Sequence, residues 1–115
     1  MRSNQSHRSA GDAYEKYLAK LLGGQVVSGS GSGLVKGDVK VGKFLIQAKR
    51  TDGKSFSVKE SNLNQAEREA MNQGRLPAFA IGFWKEDTVS SDWVAVPMWV
   101  FRMALAVLNE NEEES

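Results

Sequence analysis

The sequence predicts a small α/β (α+β) domain, a mixed sheet flanked by helices. Three observations predict it. Residues 34–50, LVKGDVKVGKFLIQAKR, alternate apolar and polar positions with the period of a strand. Three other stretches carry apolar residues at helical spacing, between recognisable start and stop signals. Strand-like and helix-like segments then follow in the order α-β-β-β-α-β-β-α, which suits helices segregated around one sheet. At 115 residues the chain suffices for a single domain with one core.

Each element has its own justification. Residues 1–8, MRSNQSHR, read as a mobile basic arm, and His7, the sole histidine, reads as an exposed side chain rather than a metal ligand. A helix is predicted over residues 10–22. Ser9 is placed to cap it, with Asp12 in the capping-box position; Ala13, Tyr14, Tyr17, Leu18, Leu21 and Leu22 form its apolar stripe, and Gly23-Gly24 stop it. Residues 25–28 read as a short strand, and GSGSG at 29–33 as a flexible loop or plain linker. After the hairpin of residues 34–50 comes a turn at 51–54. Ser57 and Glu60 have capping-box spacing and are expected to open a helix to about residue 73, with Leu63, Ala66, Ala70 and Met71 inward and Gly74 at its end. Residues 77–84 and 92–96 read as strands. Pro97 suits the first turn of a last helix over 98–108, and residues 110–115 read as a frayed acidic tail. Phe79, Phe83, Trp84, Trp93, Trp99 and Phe101 are expected in the core, with one of them free to serve a dimer contact.

Composition narrows the function. There is no cysteine, hence no disulfide framework and no thiolate zinc site. No apolar run approaches a membrane span and the polar start is no signal peptide, so a cytoplasmic protein without a membrane partner is expected. The net charge of +1 hides an asymmetry: residues 1–75 hold 13 Lys and Arg against 7 Asp and Glu, and residues 76–115 hold 2 against 7. A basic half suggests a phosphate-rich partner, although solvated surface lysines give the same count.

The hairpin carries the chemistry. Gly42-Lys43 suits a two-residue type II′ turn, with Gly first. Val41 then pairs with Phe44, Val39 with Ile46 and Asp38 with Gln47. Val39, Val41, Phe44, Ile46 and Ala48 share one apolar face; Asp38, Gln47 and Lys49 share the other. Directly opposed side chains have Cβ atoms roughly 5 Å apart. A one-residue slip would scatter these groups but also turn the apolar face to water. Asp38 and Gln47 offer hard oxygen ligands suited to Mg²⁺ or Mn²⁺, and the Ala48 carbonyl is a third candidate. Lys49 beside them can orient a water or stabilise developing phosphoryl charge. Glu15, bordering the first helix's apolar stripe, is the best further acid. A structural Asp38–Lys49 salt bridge is the plainer alternative. Gly37-x-x-x-x-Gly42-Lys43 is not a Walker A loop, because Phe44 replaces Ser or Thr and a strand follows, and GSGSG lacks dinucleotide-fold spacing.

Glu15, then Asp38, then Gln47-Ala48-Lys49 resembles the motif of the PD-(D/E)XK nuclease superfamily, whose core order α-β-β-β-α-β matches residues 10–84. The motif's usual Pro-Asp is Gly37-Asp38 here, and its usual Glu-x-Lys is Gln-Ala-Lys, a variant of some branches. The early-helix glutamate and SGSGSG before the acidic strand look most like archaeal-type and phage-type Holliday junction resolvases. The resemblance implies a restriction-endonuclease-like core and a Mg²⁺-dependent endonuclease, Mn²⁺ substituting, acting on branched DNA. The metal would be held by Asp38, Glu15, Gln47 and the Ala48 carbonyl. Lys49 would assist the nucleophile, and a loop serine, Ser30 or Ser32, the site. Arg2, Arg8, Lys36, Arg50 and Lys54 are the expected phosphate contacts. Symmetric cutting of two strands calls for a homodimer, with part of the interface in the apolar segment 93–108. A phage-encoded origin in a bacterial host fits this likeness. Two other readings fit the same residues: a nuclease of this fold acting on other DNA structures, and a non-catalytic DNA-binding module.

Overall fold

The computed structural model describes residues 13–27 and 38–114. Helix α1 occupies residues 13–22. Strands β1 (Gln25–Val26), β2 (Asp38–Val41) and β3 (Phe44–Thr51) precede helix α2 (Glu60–Asn72). Strands β4 (Leu76–Lys85) and β5 (Thr88–Ala95) lead into helix α3 (Met98–Glu114). The five strands form one sheet in the order β1-β2-β3-β4-β5. Only β3 and β4 run parallel, joined by α2 as the crossover a parallel pair needs; the other pairs are antiparallel.

The alternation within the strands sorts side chains onto two faces. On one, Val39, Ile46, Ala78, Ala80 and Trp84 pack against Tyr14 and Leu18 of α1. Gly82 is required there: a Cβ at this position would lie 2.7 Å from Cζ of Tyr14. The Tyr14 hydroxyl donates to Asp92 Oδ2 at 3.4 Å, and burial together with the Asp92 charge holds its pKa above the usual range. On the other face, α2 lies over β4 and β3 with Ala66 and Ala70 buried, and Leu45 and Phe79 are buried beneath.

Several elements depart from expectation. α2 starts at Glu60, not in a Ser57 capping box. Lys59 is the N-cap, extended at φ −93 and ψ 141, and no side chain caps the helix. The Leu63 N–H donates to the Lys59 carbonyl, so Ser57 lies two residues outside the cap, and Glu60 instead sits in the first turn, where the helix dipole favours an acid. Leu21, Leu22, Leu63 and Met71 are exposed, because each helix rests on the sheet along a stripe narrower than its apolar pattern. β5 begins four residues before the expected strand. Glu86 (φ 50) and Asp87 (φ 61) both adopt the left-handed conformation, which closes a two-residue type I′ hairpin without the usual Asn or Gly. The expected aromatic core holds for Phe79 and Trp84; Phe83 is half-buried, while Trp93, Trp99 and Phe101 are exposed. α3 continues through the acidic stretch to Glu114, where a frayed tail was expected; no Gly or Pro interrupts it.

Candidate functional site

The β2–β3 hairpin has the register its sequence predicts, with Val41 opposite Phe44, Val39 opposite Ile46 and Asp38 opposite Gln47. Of the two turn residues, only Gly42 has positive φ (54), as a type II′ turn requires. Hydrogen-bonded and non-hydrogen-bonded pairs alternate away from such a turn, which makes Asp38 and Gln47 a non-hydrogen-bonded pair with side chains at their closest. Consistently, the Asp38 carbonyl turns to the other side of β2 and accepts from the Val27 N–H at 2.9 Å.

Both side chains are buried, Asp38 to 1 % exposure and Gln47 to 7 %. Asp38 Oδ2 and Gln47 Oε1 have no hydrogen-bond partner among the described residues. Leaving a buried acceptor unsatisfied costs on the order of 1–3 kcal/mol, more for a charged one. Two such oxygens on facing strands, without a partner among the described residues, carry a cost that an ion or ligand there would relieve.

Electrostatics sharpen the picture. Burial, foremost, and then the charges of Glu69 and Glu15 push the Asp38 carboxyl up to about 7 from 3.8, with Lys49 pulling the other way. Glu15 is buried at 5 % exposure rather than at a stripe's border. Lys49 is half-buried on the same sheet face as Asp38 and Gln47, two residues along β3. Glu69 is the residue that sequence reasoning missed. Its signal was faint: Ala66 and Ala70 mark the side of α2 that meets the sheet, and Glu69 adjoins Ala70.

The remaining candidates separate. Arg50 is drawn away from the solvent where a phosphate contact was expected. Its side chain is 8 % exposed, its Nε donates to Asp52 Oδ1 at 2.9 Å, and its guanidinium stacks 4.0 Å above the Trp84 ring. That geometry leaves little of the fork for a phosphate. Lys54 is exposed in the turn after β3. By the alternation of the ladder, the Ala48 carbonyl points to the β2 side, just past the last described pair. Ser30, Ser32, Arg2, Arg8 and Lys36 lie outside the described residues.

No three Asp, Glu, His or Cys side chains among the described residues converge into a ready-made cation cage. The donors that do converge fit a hard divalent ion of another kind. Mg²⁺ commonly takes one or two carboxylates and completes its shell with water and substrate phosphate. One carboxylate and one amide oxygen, both buried and without partners among the described residues, match that demand. Among the described residues no helix is long and apolar enough to cross a membrane. Comparisons with protein-family models, curated proteins and solved structures find no match for this chain.

Proposed function

We propose that this chain is a metal-dependent endonuclease that hydrolyses phosphodiester bonds in DNA, with a four-way junction as substrate. The observation that carries this reading is the facing pair Asp38 and Gln47, each with an unpartnered buried oxygen. Lys49 on the same face, the charges of Glu15 and Glu69 on Asp38, and the basic balance of residues 1–75 support it. The mixed sheet, with an antiparallel hairpin carrying the site and a helical crossover to a parallel strand, is compatible with a restriction-endonuclease-like core.

Asp38 and Gln47 would hold Mg²⁺ or Mn²⁺, with Glu15 and the Ala48 carbonyl as further donors. When bound, the ion polarises the phosphate and lowers the pKa of a water. Asp38 would hold it as the carboxylate, in competition with the proton that burial and the neighbouring acids favour there. Glu69 and Glu15 keep the local potential negative, so a cation is favoured there. Lys49 places an ammonium where charge develops as a water attacks in line, and orients that water. Lys54, with the arginines and lysine before β2, tracks the phosphate backbone and positions without reading sequence. Ser30 or Ser32 serves the scissile strand. Such an activity belongs in the cytoplasm, a phage-infected bacterium being one setting.

A non-catalytic DNA-binding module is the second reading. It is favoured by the amide at position 47 and the lack of a closed acidic cage among the described residues. Cleavage of an end-labelled four-way junction beside a matched linear duplex, in Mg²⁺ and in Mn²⁺, decides between them. Junction-selective nicking sustains the proposal. Cutting of both substrates alike reduces it to a nuclease of other DNA structures, and binding without cutting in either metal refutes it.

A further inference from the structure

β5 carries an aromatic side chain on the same sheet face as the candidate site. Trp93 pairs with Ile81 of β4, and Ile81 pairs with Lys49 of β3. Residues paired across a sheet point to one side, and neighbours along a strand alternate. Asp92, the residue before Trp93, meets the Tyr14 hydroxyl of α1. Trp93 therefore points away from α1, to the face of Asp38, Gln47 and Lys49. Lys49, Ile81 and Trp93 form one row across three strands. Two inter-strand steps of roughly 4.8 Å put the Lys49 and Trp93 backbones about 10 Å apart.

Trp93 is 69 % exposed, whereas Trp84 is buried and the Trp99 Nε1 donates to Glu67 Oε2 at 2.8 Å. Tyr14, Tyr17 and Trp84 pack against one another on the α1 face; Trp93 stacks on no ring among the described residues. Its neighbours on the same face of β5, Ser91 and Ala95, are small and exposed, so neither shields the indole.

These surroundings select the occupant. The only charge in β5 is Asp92, which points to α1, so this strand draws no phosphate. A lone ring between Ser91 and Ala95 offers far less apolar area than the roughly 800 Å² that one side of a stable protein interface buries. A nucleobase needs only one accessible aromatic face. Within a linear duplex each base is covered on both faces, whereas a branch or a single strand leaves faces open to an aromatic side chain.

We propose that Trp93 is a base-stacking residue, which holds an exposed nucleobase of branched DNA in line with Lys49. The inference rests on the nuclease reading for its substrate, and goes beyond it in assigning a residue that favours branched over linear DNA. Binding is measured in chelator, where nothing is cut, with three labelled probes: an oligothymidylate, a four-way junction and a matched linear duplex. Oligothymidylate should quench the tryptophan fluorescence of the wild type, and most of that quench should vanish in Trp93→Phe. Trp93→Ala should bind the oligothymidylate and the junction about 10- to 100-fold more weakly, the loss that removing one stacked ring brings, and bind the duplex as the wild type does. Trp93→Phe, which keeps a ring, should fall between the two. Circular dichroism checks that the variants stay folded, as expected for a side chain outside the core. Should Trp93→Ala fail to fold, Trp93→Phe alone decides.

Equal losses on junction and duplex overturn the proposal, as does a quench that survives Trp93→Phe undiminished. Loss of self-association in Trp93→Ala with DNA binding intact also overturns it, by making the ring a protein contact. A wild type that cuts junctions, while Trp93→Ala binds them equally well, refutes this inference alone. A wild type that cuts nothing in Mg²⁺ or Mn²⁺, while Trp93→Ala loses only branched and single-stranded binding, refutes the nuclease reading alone. A wild type that binds none of the probes refutes both.

Discussion

Asp38→Asn should stabilise the metal-free protein at pH 8 and do nothing for it at pH 4. The wild-type carboxyl has a pKa of about 7 in the fold against 3.8 ordinarily. Between those values the folded state binds more protons than the unfolded chain. Stability therefore falls as pH rises from about 4 to 7, and levels off above the folded pKa. A shift of about three units corresponds to about 4 kcal/mol when complete. Asparagine keeps the shape without the charge, so its gain over wild type at pH 8 should approach that figure, less whatever its amide N–H groups leave unpaired. For a domain near this size, 1 kcal/mol moves Tm by about 4 °C, so a difference of roughly 10 °C or more is expected. Urea titrations in chelator from pH 4.5 to 8.5 measure it. Saturating Mg²⁺ at pH 8 should then raise wild-type stability, by about 2.7 kcal/mol at a hundredfold excess over Kd, and leave Asp38→Asn unmoved. A wild-type stability flat across this range, or an Asp38→Asn variant less stable than wild type at pH 8, would refute the reasoning that burial and neighbouring acids hold this carboxyl under strain.

Three further outcomes test the site and the fold. Lys49→Ala should abolish cleavage while leaving junction binding nearly intact, whereas Gln47→Glu should retain cleavage with less metal needed for half-maximal rate; wild-type cleavage by Lys49→Ala would dissolve the active-site assignment. DNA affinity should fall log-linearly with salt, and Lys54→Ala should weaken all substrates about equally and reduce the slope by about 0.9, one phosphate contact's worth; a salt-independent affinity in a gel-shift or anisotropy series contradicts the basic-surface reading. Replacing Glu86-Asp87 by Asn-Gly should raise stability by roughly 1–3 kcal/mol in urea unfolding, since two left-handed positions are relieved and only a long contact from Arg50 to the fully exposed Asp87 carboxylate is lost; a loss of stability would mean that the turn is not held in that conformation.

How much was legible depended on how local the determining physics is. The Asp38–Gln47 pairing follows from neighbours in sequence: one glycine sets the turn, strict alternation sets the faces, and slipping by one residue would expose five apolar side chains. The starting positions of α2 and β5 were less legible, because α2 begins at Lys59 with no side-chain cap to mark it, and because Glu86 and Asp87 adopt a conformation that their own preferences oppose. Glu69, Arg50 and the aromatic residues were decided by tertiary structure alone. An acid on a helix becomes part of a site only when the helix crosses the right strands. An arginine becomes structural only when Trp84, thirty-four residues away, places a ring beneath it. Trp93 was expected in the core because its chemistry favours burial, yet it stands 69 % exposed. Local preference and periodicity say which side chains want cover. Whether cover arrives depends on the angle at which each helix meets the sheet, which is set by packing across the whole fold.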